Sequence, residues 1–152
     1  MKKLLLSALM AATLLGCKSS MPRQSIRPDE ASYHFTVRHS QTRQQAFNNV
    51  ELALADAYND LPEVLKLKQP ETGTFLLKPL VAYQVVNMFG PIQHARYTLK
   101  IVVDSGSITL DYQLGTERSQ GTWPPETQIP KIKADFEVIT GKIAMAVKGS
   151  LE

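Results

Sequence analysis

Hydrophobic residues along this chain switch between two periods, and the switches mark its elements. From Ser32 to Arg38 the pattern alternates strictly, with Tyr33, Phe35 and Val37 on one face and His34, Thr36 and Arg38 on the other. That is the signature of a half-buried strand. The spacing then changes to three and four. Ala46, Phe47, Val50, Ala53, Leu54, Ala57, Tyr58 and Leu61 form one stripe. It predicts a helix with Ser40 or Thr42 as its cap and with Asn59-Asp60 and Pro62 as its stop. Val64 to Lys68 reads as a short second strand, and Pro70-Glu71-Thr72-Gly73 as a turn.

Thr74 to Val86 is strand-like but contains Pro79. Proline supplies no N–H to a ladder, so an edge position, a bulge or a break is expected there. Asn87 to Pro91 connects to the longest alternating run, Ile92 to Val103, in which Ala95, Tyr97, Leu99, Ile101 and Val103 share a face. Asp104-Ser105-Gly106-Ser107 predicts a tight hairpin loop. After it, Ile108, Leu110, Tyr112 and Leu114 oppose Thr109, Asp111 and Gln113. Gly115 to Pro125 is a polar loop in which Trp123 anchors the approach to the last helix. That helix, Thr127 to Lys148, carries the stripe Ile129, Ile132, Phe136, Ile139, Ile143 and Ala146 or Val147. Pro130 fits its first turn, and Gly141 inside it costs about 1 kcal/mol relative to alanine. The element order β-α-β-β-β-β-α, with short loops, predicts an α+β domain: an antiparallel sheet of about five strands with two helices covering one face.

The N-terminal part has a different character. Lys2 and Lys3 precede an apolar run, Leu4 to Leu15, of signal-peptide length and too short for a bilayer span. It ends in Leu14-Leu15-Gly16-Cys17, which resembles the lipobox of bacterial lipoproteins. The resemblance implies diacylglyceryl transfer to the Cys17 thiol, cleavage after Gly16 and acylation of the new amino terminus. Lys18 follows the cysteine where retention in the inner membrane would favour Asp. Similarity to Gram-negative sorting patterns therefore implies the outer membrane, with the domain in the periplasm. Several acyl chains hold a protein stably without a spanning helix. The expected organisation is a signal peptide over residues 1–16, a tether over 17–30, one domain over 31–149 and a tail over 150–152, of which Leu151-Glu152 reads as a cloning remnant. The tether, rich in serine and interrupted by Pro22 and Pro28, would span about 20 Å as a coil.

Composition changes the picture in two respects. Of 152 residues, 17 are Lys or Arg and 14 are Asp or Glu. Removing Lys2 and Lys3 with the signal leaves 15 against 14, so the mature chain is nearly neutral. Such a balance does not suggest a general polyanion binder, and no nucleic-acid partner is expected. Cys17 is the one cysteine in the chain, so no internal disulfide is available even in an oxidising compartment.

From Tyr33 to Val147 the element order resembles a bacterial envelope domain of unknown function with a TATA-box-binding-protein-like sheet and helices. Helix-grip domains of outer-membrane assembly lipoproteins are a second, looser match. The resemblance implies an architecture and a lipoprotein context, and it carries no catalytic residue.

The residues offer little chemistry of their own. His34, His39 and His94 lack metal-ligand spacing, although His34, His94 and Asp111 share a strand face if the registers agree. No metal or other cofactor is expected. No nucleophile elbow occurs, and the single thiol is committed to lipid. Asp135 and Glu137 sit among Lys131, Lys133 and Lys142 as a solvated helix face. A non-enzymatic interaction module is the leading expectation. Its binding residues would be Arg38, Arg96 and Lys100 on the open sheet face, joined by Lys78, Val102, Leu76, Leu80, Ala82 and Val86 if Pro79 leaves the register intact. Met88 and Phe89 in the connection to the long strand are further candidates for touching a partner. The expected partners are the membrane, through lipid on Cys17, and an envelope protein. The alternative is a carrier holding a small apolar molecule between the last helix and the sheet, lined by Tyr83, Tyr97, Tyr112, Phe136 and Ile139. Ordinary core packing explains those five equally well.

Overall fold

In a computed structural model of the chain, the described residues are 32–84, 92–115, 124 and 126–151. The elements are β1 (Ser32–Arg38), α1 (Arg43–Ala57), α2 (Leu61–Val64), β2 (Leu65–Gln69), β3 (Thr74–Leu77), β4 (Leu80–Gln84), β5 (Ile92–Val103) and β6 (Ser107–Leu114). A 3-10 turn at Glu126–Gln128, α3 (Ile129–Ala146) and β7 (Ser150–Leu151) complete the order. The expected signal peptide and tether, Cys17, Val86, Met88, Phe89 and Trp123 lie outside the described residues.

The α+β class holds, and the sheet has seven strands where about five were expected. Two physical reasons account for the difference. Pro79 divides the expected Thr74–Val86 strand into β3 and β4, and the sheet extends to Ser150 and Leu151, past the boundary at Gly149 drawn from the hydrophobic pattern. Every pairing is antiparallel, in the order β2-β3-β5-β6-β1-β7, with β4 joined to β5. Leu77 stands opposite Leu99 and Leu80 opposite Arg96, so the register does not slip across Lys78-Pro79. Tyr97 N–H still donates to the Pro79 carbonyl at 3.0 Å, while Lys78 N–H turns away to the Val64 carbonyl at 2.8 Å. Pro79 is thus a break and not a bulge. Odd-numbered side chains on both sides of it stay inward, as buried Phe75, Leu77 and Val81 show.

Thr42 caps α1 through a capping box: its side chain accepts from Gln45 N–H, and the Gln45 side chain accepts from Thr42 N–H at 3.2 Å. Ala46, Phe47, Val50, Ala53 and Leu54 are buried as the stripe predicts. The helix stops at Ala57, and Leu61, expected in α1, starts the one-turn α2 because Pro62 suits a first helical turn. Gly73 is required in the β2–β3 turn. Its φ is +67°, and a Cβ there would lie 2.2 Å from the Val103 carbonyl oxygen, a position only glycine tolerates.

Both long helices lie on the inner face of the sheet. Phe47 of α1 stacks on Phe75 at 4.2 Å between ring centroids, and Phe136 of α3 stacks on Tyr112 at 4.4 Å. Such pairs contribute about 0.5–1.5 kcal/mol beyond their buried area. One core position escapes the apolar stripe. Thr140 is 0% exposed, and its hydroxyl lies 3.0 Å from that of Tyr112. The helices are tied at the surface by Lys142 Nζ, which donates to Asp56 Oδ2 at 2.9 Å. No described helix is long and apolar enough to cross a membrane.

Candidate interaction face

Strand parity decides which side chains the second face of the sheet displays. With Tyr97, Leu99, Ile101 and Val103 buried beneath the helices, His94, Arg96, Thr98, Lys100 and Val102 of β5 point away from them. Across the strands, Lys100 stands opposite Leu76 on one side and Asp111 on the other, and Asp111 stands opposite His34. The cross-strand row therefore reads Leu67, Leu76, Lys100, Asp111, His34. No described element covers this face. Leu80 is 54% exposed and Ile92 63% exposed, values that core residues never show. Leu80 belongs to the expected set of outward even-numbered residues together with exposed Ala82, half-buried Leu76 and half-buried Val102, and Ile92 joins them though the pattern had not singled it out.

The predicted cations reach the same face but not the same place. Lys100 lies mid-sheet, and Arg96 lies four residues further toward the start of β5. Lys78 sits beside Arg96, whose Nη1 donates to the Lys78 carbonyl at 3.5 Å. These three form a group. Arg38 is at the opposite end of β1, between Ser107 and Ser150. Four residues separate it from the row that holds Lys100, and four more separate that row from Arg96. At about 3.3 Å per residue, Arg38 and Arg96 are about 26 Å apart along the strands, too far to contact one group on a partner.

The histidines behave in the same way. His34, His94 and Asp111 do share the face. His34 Nδ1 lies 2.6 Å from Asp111 Oδ1, and His34 Nε2 lies 3.5 Å from Thr36 Oγ1. His94, however, stands opposite Ala82, six residues along β5 from Lys100, or about 20 Å from the His34–Asp111 pair. Among the described residues no three His, Cys, Asp or Glu side chains gather as a metal site would require. His34 and Asp111 are more than half and about half exposed on an open sheet, so water competes for every hydrogen bond they make.

On the helix side, three of the rings expected to line a carrier cavity pack against one another. Tyr97, Tyr112 and Phe136 are buried and in mutual ring contact, with centroids 4.4–6.1 Å apart. Ile139 is half-buried, and the Tyr83 side chain lies outside the described residues. The hydroxyls of Tyr58 and Tyr97 pair at 2.8 Å. Burial holds the pKa of Tyr58, Tyr97 and Tyr112 well above the ordinary tyrosine range. Sequence reasoning missed this buried hydroxyl network; the signal was three tyrosines at inward or stripe positions, together with Thr140 one turn beyond Phe136.

Comparison with solved structures agrees with the architecture. A TBP-like protein from Parabacteroides distasonis ATCC 8503 superposes with a TM-score of 0.52 at 10% identity, over 74% of this chain and 91% of that one. A DUF4468 family protein from Bacteroides ovatus ATCC 8483 gives a TM-score of 0.48 at 8% identity, over 79% and 82% of the two chains. At its low identity, the likeness to the TBP-like protein is one of fold alone. No family model matches the sequence, and no curated protein matches it by sequence.

Proposed function

We propose that this chain is a lipid-anchored lipoprotein of the bacterial envelope. Its domain faces the periplasm and acts as a non-enzymatic interaction module through the open face of the sheet. The observation that carries this reading is the combination, on one face that no described element covers, of exposed Leu80, Ala82 and Ile92 with Lys78, Arg96 and Lys100. These three aliphatic positions are neighbours across β4 and β5, and a contiguous exposed apolar patch beside cations favours docking where single exposed side chains do not. The anchor half of the proposal is supported by Leu14-Leu15-Gly16-Cys17 following a short apolar run. A partner that fits the face carries negative charge together with apolar groups.

Two experiments test the reading. Cys17→Ala is expected to release the folded domain from the membrane fraction of its own cells; retention there would overturn the anchor. A mild-detergent pull-down of the full-length protein, read by mass spectrometry, is expected to return an envelope component that is lost on Arg96→Glu/Lys100→Glu. An eluate unchanged by that double substitution would overturn the assignment of the face.

A further inference from the structure

We infer that the face described above seats on an anionic bilayer surface, through the ribbon formed by β4 and the first half of β5; this rests on the proposed anchoring. The two strands leave the main sheet together. The pairing of β5 with β6 begins at Tyr97 opposite Leu114, whereas Ile92 to Arg96 pair with β4. Five rungs at about 3.3 Å per residue carry the ribbon about 16 Å along the strand direction beyond the β5–β6 ladder.

The outward side chains change in order along this ribbon. Ile92 leads, Ala82 follows opposite His94, Leu80 and Arg96 share the next rung, and Lys78 and Lys100 lie further toward the sheet. Aliphatic groups ahead of a band of cations match the order of acyl chains and headgroup phosphates met on approaching a bilayer. β4 and Ile92 to Arg96 contain no acidic residue, and Asp111 at mid-sheet is engaged by His34.

The composition favours a lipid surface over a protein. Protein interfaces are depleted of lysine at their centres. This face carries Lys78 and Lys100. Lysine ammonium groups suit phosphates, which they meet as point charges without needing a fixed partner geometry.

The connectivity agrees. Ser32 stands opposite Gln113, and Gln113 opposite Thr98, so the chain enters the domain at the end from which the ribbon projects. Cys17 lies fifteen residues before Ser32. A lipid on Cys17 pulls this end toward the membrane, and it leaves the Arg38 and β7 end facing away.

The test uses the full chain with Cys17→Ser, which frees the sequence of its native thiol. An environment-sensitive fluorophore is then placed on Ile92→Cys or, as a control, on Leu52→Cys. Leu52 is 68% exposed on α1, in the layer opposite the face. Each labelled protein is mixed with vesicles of phosphatidylcholine alone and with vesicles that also contain phosphatidylglycerol. The expected result is a blue shift at position 92 on the phosphatidylglycerol vesicles and none at position 52. Lys78→Glu/Lys100→Glu, both at exposed positions, should weaken the vesicle dependence of that shift by at least about thirtyfold, the loss of two lysines near an anionic surface, with the repulsion of two added carboxylates on top. A label at 92 that stays in water, equal shifts at both positions, or a shift that survives the charge reversal would each overturn the bilayer seat. A protein companion in the pull-down without a shift at 92 would overturn the seat and leave the interaction module standing. No companion and no shift would overturn both.

Discussion

Thr140 and Tyr112 form a buried hydroxyl pair whose energy is measurable because each can be removed without changing shape. Thr140→Val replaces the 0% exposed hydroxyl by a methyl. The Tyr112 hydroxyl then keeps the Phe136 carbonyl, to which it already donates at 3.3 Å. The cost should be one buried hydrogen bond, about 1 kcal/mol. Tyr112→Phe removes the other member and vacates that carbonyl, and the Thr140 hydroxyl can donate back one helical turn to it. The cost is again about 1 kcal/mol. In the double variant neither polar group remains to be satisfied, so the loss should stay near that of a single variant, about 1 kcal/mol, and not reach about 2 kcal/mol. Urea unfolding of the four proteins, with unchanged m values as the control, reads the coupling directly. A double variant within about 0.3 kcal/mol of the sum of the singles would refute the argument, since additivity means that the two hydroxyls do not share one interaction.

Other consequences are open to measurement in the same way. Gly141→Ala should stabilise the domain by about 0.5–1 kcal/mol and raise its melting temperature by a few degrees, because a Cβ there meets nothing within 4 Å. Gly73→Ala should destabilise it by about 2 kcal/mol or more, through the left-handed φ and the clash with the Val103 carbonyl, seen as a lower urea midpoint. Of the five tyrosines, Tyr58, Tyr97 and Tyr112 have folded pKa values above those of the unfolded chain. Above about pH 10 the unfolded state therefore binds fewer protons than the folded one, and stability falls with rising pH. The slope should approach about 4 kcal/mol per pH unit for three groups, and alkaline unfolding should coincide with the late tyrosinate absorbance. Lys142→Ala, which opens a surface ion pair between the long helices, should change stability by less than about 1 kcal/mol in urea unfolding.

The parts of the fold that could be read from sequence are those where burial imposes a period. Tyr97, Leu99, Ile101 and Val103 alternate because β5 is covered on one face only, and Phe47, Val50 and Leu54 recur at helical spacing because α1 buries a single stripe. Parity also placed Arg96, Lys100 and Val102 outward. What periodicity does not encode is the strand order, so the 26 Å between Arg38 and Arg96 and the isolation of His94 emerged only from the registers. β7 was missed because two exposed residues have no pattern, and Thr140 because a polar residue in a stripe reads as an interruption. Pro79 had three legible outcomes. The Lys78 N–H chose among them by finding the Val64 carbonyl, a partner that no local pattern announces.

The pairing of β1 with β7 has a consequence for how the chain comes to be folded. β1 is made first among the described strands, but its neighbours are β6, with His34 opposite Asp111, and β7, with Val37 opposite Leu151. One neighbour is separated from it by most of the domain and the other by nearly all of it. Contacts of such long sequence separation close late and slowly, after loop entropy has been overcome. β1 therefore has no strand partner until β6 has been delivered, about three-quarters of the way along the chain. A chain delivered N-terminus first would leave Tyr33, Phe35 and Val37 without a paired neighbour for about half of its synthesis or export, which makes this interval, and not the finished domain, the stage at which a holding chaperone would matter most.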